Sequence, residues 1–437
     1  MEIDIAMEKT LSEQVNNNQK KTETLTFPTG FLWGAATSAH QVEGNTNNNW
    51  TEWEKNNAER LAKEAGGKWQ TWQQEKFPEM FDVKNYISGQ ACDHYNRYKE
   101  DFDLAKSGGH NAHRFSIEWS RIELEEGKFD EREIEHYRKV LMALKARGME
   151  PFVTLWHWTE PIWFQEKGGW TDKKSIEYFS RFVEKVVGEY QDLVRFWVVV
   201  NEPNVGMGFG YLLGSQPPAK KGPVNFLRGF FNLFAAFKKS ALIIKKIDPK
   251  AEIGVANSIT HYDVKIFPGL YYITVSVVDF FSNYFLRRAI PYCTFIGCNY
   301  YSRHVISSRK KDIAPEKRND LGWEIYPEGI YHVLKSLKKY NLPIYITENG
   351  LADAMDEKRP QFIEHHLRFV QQAIQEGVDV RGYFHWSLLD NFEFVDMRGF
   401  WPRFGLIEIY YKTLKRKPRK SFYEYANICK NNEVDLT

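Results

Sequence analysis

Cysteine is scarce in this chain: Cys92, Cys293, Cys298 and Cys429 are the only four in 437 residues. They follow no zinc-type spacing, which argues against a disulfide scaffold or a cysteine-built metal site. The twelve histidines include His365 and His366, but no HExxH or HxxEH pattern frames them, so neither a metal nor another cofactor is expected. No apolar run reaches the roughly eighteen residues of a membrane span. The opening residues, MEIDIAMEKTLSEQVNNNQKKTET, lack the apolar core of a signal peptide. Charge of one sign is not in excess either. The chain has 59 Lys and Arg against 57 Asp and Glu, a net charge of +2, which gives no overall field for nucleic acid or a membrane. The basic run KTLKRKPRK (412–420) reads as a solvated loop entering a helix. These absences predict a soluble, cytoplasmic protein with free thiols; they leave its oligomeric state open.

Aromatic residues, in contrast, are abundant: 14 Trp, 23 Tyr and 31 Phe make up 16% of the chain. Most belong in a core, because aromatics dominate burial. Trp156, Trp158, Trp386 and Trp401, however, fall near predicted strand ends, where a flat apolar ring can face a sugar.

Eight strand-like runs recur along the chain: 31–39, 111–119, 151–158, 195–203, 252–259, 295–302, 343–350 and 380–390. Amphipathic stretches with apolar residues at spacings of three and four lie between them, as in 133–148, 175–190 and 327–340. Eight strands alternating with helices is the pattern of an α/β fold, a (β/α)8 TIM barrel. A doubly wound sheet fits less well, since no Gly-rich phosphate turn follows any strand. No composition break divides residues 25–430, so one barrel domain is expected there. It is flanked by a disordered tail (1–24) and a short C-terminal tail (431–437). The longest insertion, residues 40–97, is expected to form one wall of the site.

Two strands end alike, in VVVNEP with Glu202 and in YITENG with Glu348. A carboxylate where a buried strand stops is costly unless paired or solvated, and barrel active sites lie at these C-terminal ends. Two carboxyls in unlike surroundings can serve glycosidic bond cleavage, one protonating the leaving oxygen and the other carrying negative charge at the anomeric carbon. Arg114 can supply positive charge to the ionised member, and Tyr300 or Tyr301 a hydroxyl donor. Gln41, His157, Asn201 and Asn349 are neutral groups suited to sugar hydroxyls. The plainer alternative is a set of ion pairs sealing the mouth of a barrel.

Eight segments stand in order along the chain: FPTGFLWGAATSAHQVEG (27–44), residues 91–122, HWTEP (157–161), NEP (201–203), GCNYY (297–301), GWEIYPEGI (322–330), YITENG (345–350) and GYFHWSLLDNFEF (382–394). Through them the chain resembles glycoside hydrolase family 1, the β-glucosidase and β-galactosidase family, from Phe27 to Ile428. The resemblance implies a retaining mechanism with Glu202 as acid/base and Glu348 as nucleophile, Arg114 and Tyr301 being its partners. It implies sugar contacts from Gln41, His157, Asn201, Trp386 and Glu393, and an aglycone platform at Trp323. The expected ligands are small β-linked glycosides or oligosaccharides, with no nucleic acid, membrane or cofactor.

Three departures stand out. Phe394 replaces the family's usual Trp after Glu393, removing an indole donor and a stacking face, and so bears on the preference among glucose, galactose and fucose. Val199 replaces a frequent Thr. The stretch 259–295 is short and apolar, most of all at 267–286. The loop DNFEFVDMRGFWPRFG (390–405) carries no phosphate-binding cluster, which argues against phosphorylated disaccharides. A transglycosylase using the same residues, or a catalytically idle sugar-binding barrel, are the alternative functions.

Overall fold

Each of the eight runs forms a strand in the computed structural model, which describes residues 23–265, 274, 279, 282–307 and 313–436. The strands are β1 (Leu32–Ala36), β2 (Ala112–Ser116), β3 (Glu150–Trp156), β4 (Phe196–Asn201), β5 (Glu252–Ser258), β6 (Ile296–Asn299), β7 (Ile344–Asn349) and β8 (Val380–Trp386). All neighbours pair in parallel, and β8 closes the barrel on β1 in the register Gly382↔Leu32 through Trp386↔Ala36. The runs are continuously apolar because a parallel strand in this architecture is covered on both faces.

The two faces separate cleanly. Val199 on β4 belongs to the layer between barrel and helices, whereas Val198 joins the interior cluster. The interior is plugged with rings: Phe152 stacks on Phe196 at 4.2 Å, with Phe384 at 4.7 Å and Tyr345 at 5.1 Å. Gly254 makes room for this plug, since a Cβ there would lie 2.4 Å from the Phe295 ring. Much of the aromatic excess thus fills the barrel, and in this fold ligands are held at its C-terminal end.

The helical pattern holds closely. The stretch 175–190 forms the helix Ser175–Tyr190, 133–148 forms Glu131–Ala146, and 327–340 forms Glu328–Leu337 with a further turn at Lys338–Tyr340. Asp130 starts the second of these by accepting from the Arg132 N–H at 2.9 Å, an N-cap that satisfies one orphan donor.

The chain ends differ from expectation. Of the N-terminal tail (1–24), residues 1–22 lie outside the described residues, but Glu23 and Thr24 already belong to a strand. Glu23–Thr26 pairs antiparallel with Glu433–Leu436, so the expected C-terminal tail 431–437 is structured through residue 436. The short apolar alternation EVDL carries too little pattern to show this alone. The basic run 412–420 is also not simply solvated. Lys415–Pro418 forms a hairpin with Ile407–Tyr410, Arg416 pairs with Asp101 at 2.8 Å, and Arg419 grips both oxygens of Asp390 at 2.8 and 2.9 Å. Sequence shows the charges but not the buried carboxylates that meet them. Much of the apolar segment 267–286 lies outside the described residues; at its end Phe285 packs on Phe230, Phe234 and Phe237.

Candidate active site

A pocket of about 270 Å³ opens at the C-terminal rim of the barrel; among the residues lining it are Gln41, His157, Asn201, Glu202, Ser258, Tyr301, Glu348 and Trp386. Larger hollows of about 1130 and 530 Å³ occur elsewhere, one among surface charges and one including the Thr29–Leu32 and Val378–Arg381 segments at the strand N-termini. Neither holds the converging carboxyls.

Glu202 sits just past β4 with φ 43°, in the left-handed region. Such backbone is costly for a residue with a Cβ and persists where the surroundings fix it. Here the Glu202 N–H donates to the Ala256 carbonyl at 2.7 Å, and the Glu202 carbonyl accepts from Val205 and Gly206 at 3.0 Å each. The second pair starts the short helix Pro203–Met207, with Pro203 at the first position, where its missing N–H costs nothing. The turn aims the carboxyl across the barrel mouth.

The two carboxyls are held differently. Glu348, in β7, receives Arg114 Nη1 on Oε1 at 2.5 Å and the Tyr301 hydroxyl on Oε2 at 2.6 Å. Both of its oxygens are therefore met by donors, one of them cationic, which is a setting for a carboxylate. Glu202 receives neutral donors, Asn299 Nδ2 on Oε1 at 2.9 Å and the Ser258 hydroxyl. Burial, reinforced by the negative charge of Glu348, raises its pKa to about 8. Burial, then Glu348 and Glu202, likewise raise the Tyr301 phenol well above its ordinary range, keeping it a donor.

Arg114 is 1% exposed and acts as the hub. Besides Glu348 it donates to Asn201 Oδ1 at 2.7 Å, Thr154 Oγ1 at 3.2 Å and the Thr347 carbonyl at 3.1 Å. Asn201 in turn faces His157, its Nδ2 lying 3.3 Å from Nε2. Burial and the Arg114 charge push the His157 pKa well below its ordinary value, so the ring is neutral. With Nε2 accepting from Asn201, the proton rests on Nδ1, which is buried and has no partner among the described residues.

The structure divides the remaining expected residues. Trp158 and Trp386 line the pocket, whereas Trp156 donates to Glu160 at 3.1 Å and Trp401 packs on Phe77 and Trp69 in the core. Trp323 lies on the rim with Arg398 5.2 Å from its ring. Gln41 lines the pocket, but its amide already donates to Asn391 and to the Phe392 carbonyl at 3.0 and 2.5 Å. Glu393 also lines the pocket. Of the two tyrosines the residues left open, Tyr300 turns away to the Tyr326 carbonyl at 2.7 Å. Asn349 bonds Tyr383 and the Tyr300 carbonyl rather than the pocket. Sequence reasoning missed Asn299 and Thr347, which donates to Asn299 Oδ1 at 2.6 Å. Asn299 stood inside the GCNYY segment, hidden by the more conspicuous tyrosines. The insertion 40–97 is chiefly a backing layer: apart from Gln41 it supplies support, with His40 and Trp50 behind Phe394.

Phe394 borders the pocket with only 1% of its surface exposed. Its ring lies parallel to His40 at 5.2 Å and against Trp50 at 4.3 Å, and His40 is fixed by Glu54 at 2.7 Å. Phe394→Trp therefore overfills a packed cage. We expect a loss of about 1–3 kcal/mol in denaturant unfolding, together with a changed ratio of glucoside, galactoside and fucoside turnover. An unchanged ratio would show that position 394 does not face the sugar.

A closed eight-stranded barrel with two buried carboxyls at its C-terminal mouth, one clamped by Arg and Tyr, has the make-up of a carbohydrate-cleaving barrel. The chain belongs to glycosyl hydrolase family 1, whose profile matches residues 23–265 and 275–434. It is similar to β-glucosidase A of Thermotoga maritima, at 33% identity over 94% of this chain and 99% of that protein. A β-galactosidase of Pyrococcus woesei is 28% identical over 93% and 98%. Among solved structures, the β-glycosidase from Pyrococcus horikoshii superposes with a TM-score of 0.81 at 35% identity, covering 94% and 96% of the two chains. The β-glucosidase from Thermotoga maritima in complex with glucoimidazole gives 0.81 at 30% identity, covering 93% and 99%.

Proposed function

We propose that the protein is a retaining β-glycosidase that removes the non-reducing terminal sugar from β-glucosides and related β-galactosides and β-fucosides. One observation carries this reading: two buried carboxyls share a pocket, and only one of them has a cationic donor. Relatives named β-glucosidase and β-galactosidase over nearly the whole chain support it.

The steps follow from the surroundings. Glu202, held protonated by burial, gives its proton to the glycosidic oxygen as the bond to the anomeric carbon breaks. The Glu348 carboxylate attacks that carbon from the opposite face, and the alcohol leaves. Arg114 and Tyr301 orient Glu348 for the attack. Glu202, now ionised, takes a proton from water as that water attacks the glycosyl ester. The ester bond breaks, Glu348 is restored and the sugar keeps its β configuration. His157, Asn201, Trp386 and Glu393 hold the sugar, with Gln41, Trp158 and Phe394 beside them and Trp323 under the aglycone.

The proton on Glu202 sets a pH dependence. Activity that needs the protonated form should fall as pH rises through about 8, giving the basic limb of kcat/KM. Stability follows the same group. Its folded pKa is raised above the ordinary 4.5, so the folded state binds the extra proton, and stability declines between about pH 4.5 and 8. A pH–rate profile with its basic limb near pH 5 would contradict this assignment.

A panel of nitrophenyl glycosides tests the function. Turnover confined to β-glucoside, β-galactoside and β-fucoside is expected, with α-glucoside and phosphorylated β-glucoside inert. A folded protein that bound β-glucosides and turned over none would be a sugar-binding barrel instead.

A further inference from the structure

The balanced total charge conceals one lopsided element. The helix Pro223–Ile247 carries Arg228, Lys238, Lys239, Lys245 and Lys246 across 25 residues and no acidic residue. Its inner face is conventional, with Phe226, Phe230, Leu233, Phe237 and Ile244 buried. Its outer face is not: Val224, Leu227, Phe231 and Leu242 are 59, 42, 47 and 56% exposed. At about 100° per residue these four fall within about 60° of one another. They form a single stripe along the solvent side.

A short turn links the stripe to the pocket. Leu213, 55% exposed, ends the Gly208–Leu213 turn just before this helix. The Gly222 N–H donates to the Leu212 carbonyl at 3.1 Å, tying turn to helix. Phe209 of the same turn lines the pocket. The turn therefore joins the mouth of the site to the helix that carries the stripe.

Charge decides what covers it. Lys239 pairs with Glu177 and Lys238 lies over the Tyr292 ring at 5.4 Å. Arg228 and Lys246 are exposed and make no ion pair among the described residues. A second copy packed about a two-fold axis would set this face against itself, bringing two cationic helices together without an anion between them. An anionic bilayer instead takes the apolar side chains at its acyl boundary, while the Lys and Arg heads reach the headgroups. Among the described residues no helix is long and apolar enough to cross a membrane, and an amphipathic helix of this kind lies on the surface.

We infer that the Leu213–Leu242 face is a docking surface for anionic lipid membranes. It places the pocket mouth beside the bilayer, where glycosides with a membrane-anchored aglycone can enter. Docking is independent of the catalytic reading; only the anchored substrate rests on it.

Co-sedimentation of the full chain with vesicles tests the inference. Binding is expected to vesicles containing phosphatidylglycerol, weakening at least about tenfold on phosphatidylcholine alone or at high salt. Leu227→Ser with Phe231→Ser, and separately Arg228→Glu with Lys246→Glu, should each weaken binding at least about tenfold. Both double variants should keep nitrophenyl β-glucoside kcat/KM within about twofold, which shows that they fold, while losing turnover of hexadecyl β-glucoside carried in the vesicles. Wild type that stays in the supernatant with anionic vesicles at low salt overturns the docking, as do variants that sediment like wild type. A wild-type dimer that Leu227→Ser with Phe231→Ser converts to monomer assigns the stripe to a second copy. Unchanged hexadecyl β-glucoside turnover in the variants removes the anchored substrate and leaves the docking. Vesicle binding without turnover of any glycoside refutes the glycosidase reading alone.

Discussion

Glu348→Gln should lower kcat on nitrophenyl β-glucoside by at least about four orders of magnitude. The amide nearly preserves shape but cannot form the glycosyl ester. It also presents an N–H2 to one of the two donors at 2.5 and 2.6 Å, so the amide turns its nitrogen to Tyr301, whose hydroxyl can rotate to accept, and keeps its oxygen on Arg114. Arg114 is 1% exposed, and an uncompensated buried cation costs about 3–5 kcal/mol. The loss is softened here because Arg114 keeps its bonds to Asn201, Thr154 and the Thr347 carbonyl. Circular dichroism should therefore show a folded variant with a lowered melting temperature. Removing the charge of Glu348 also removes one of the two causes that raise Glu202, so the Glu202 pKa should fall in this variant. Glu348→Ala opens space for a small anion. Azide should restore part of the activity and give the α-glycosyl azide, since it attacks from the face that Glu348 vacates. A β-configured rescue product would overturn the assignment of Glu348.

Glu202→Gln should divide substrates by leaving group. Methyl and other alkyl β-glucosides, whose oxygen needs a proton, should lose about 10²–10⁴-fold in kcat/KM. A dinitrophenyl β-glucoside leaves as a stable anion and should lose far less in the first step. Its second step should slow, because no base is left to activate water, so the glycosyl ester should accumulate after an initial burst. The basic limb near pH 8 should disappear with the carboxyl. Equal losses on alkyl and dinitrophenyl substrates would count against Glu202 as the acid. The altered contact with Asn299 is a minor perturbation, since Asn299 is also held by Thr347 at 2.6 Å.

These expectations were largely legible in the sequence, for reasons that differ from residue to residue. The barrel was readable because each strand is an unbroken apolar run, and both faces of each run are indeed covered. Glu202 and Glu348 stood out because a charge at the end of such a run is anomalous. Tyr301 could not be separated from Tyr300 by physical reasoning, since adjacent residues leave a strand end in opposite directions and the register was unknown. Resemblance favoured Tyr301, and the geometry agrees. Trp401 and Trp156 looked like Trp158 and Trp386 because position along the chain does not tell which side of a loop a ring occupies. Val199 lies in the layer between barrel and helices rather than at the pocket, so the loss of a hydroxyl there leaves the site unchanged. The terminal strand pair joins residues about four hundred apart, Glu23 with Leu436, and no local pattern encodes such a pairing. The exposed stripe on Pro223–Ile247 was masked by averaging, because net charge sums over the whole chain what this helix concentrates on one face.

The most direct measurement is to trap the intermediate. An activated 2-deoxy-2-fluoro-β-glucoside slows both steps but keeps a good leaving group, so the ester should build up and raise the intact mass by one fluoroglucosyl unit. Peptide mapping should place that mass on Glu348, in the segment YITENG. No added mass on an enzyme that still hydrolyses β-glucosides, or a label on any other carboxylate, would contradict double displacement at Glu348.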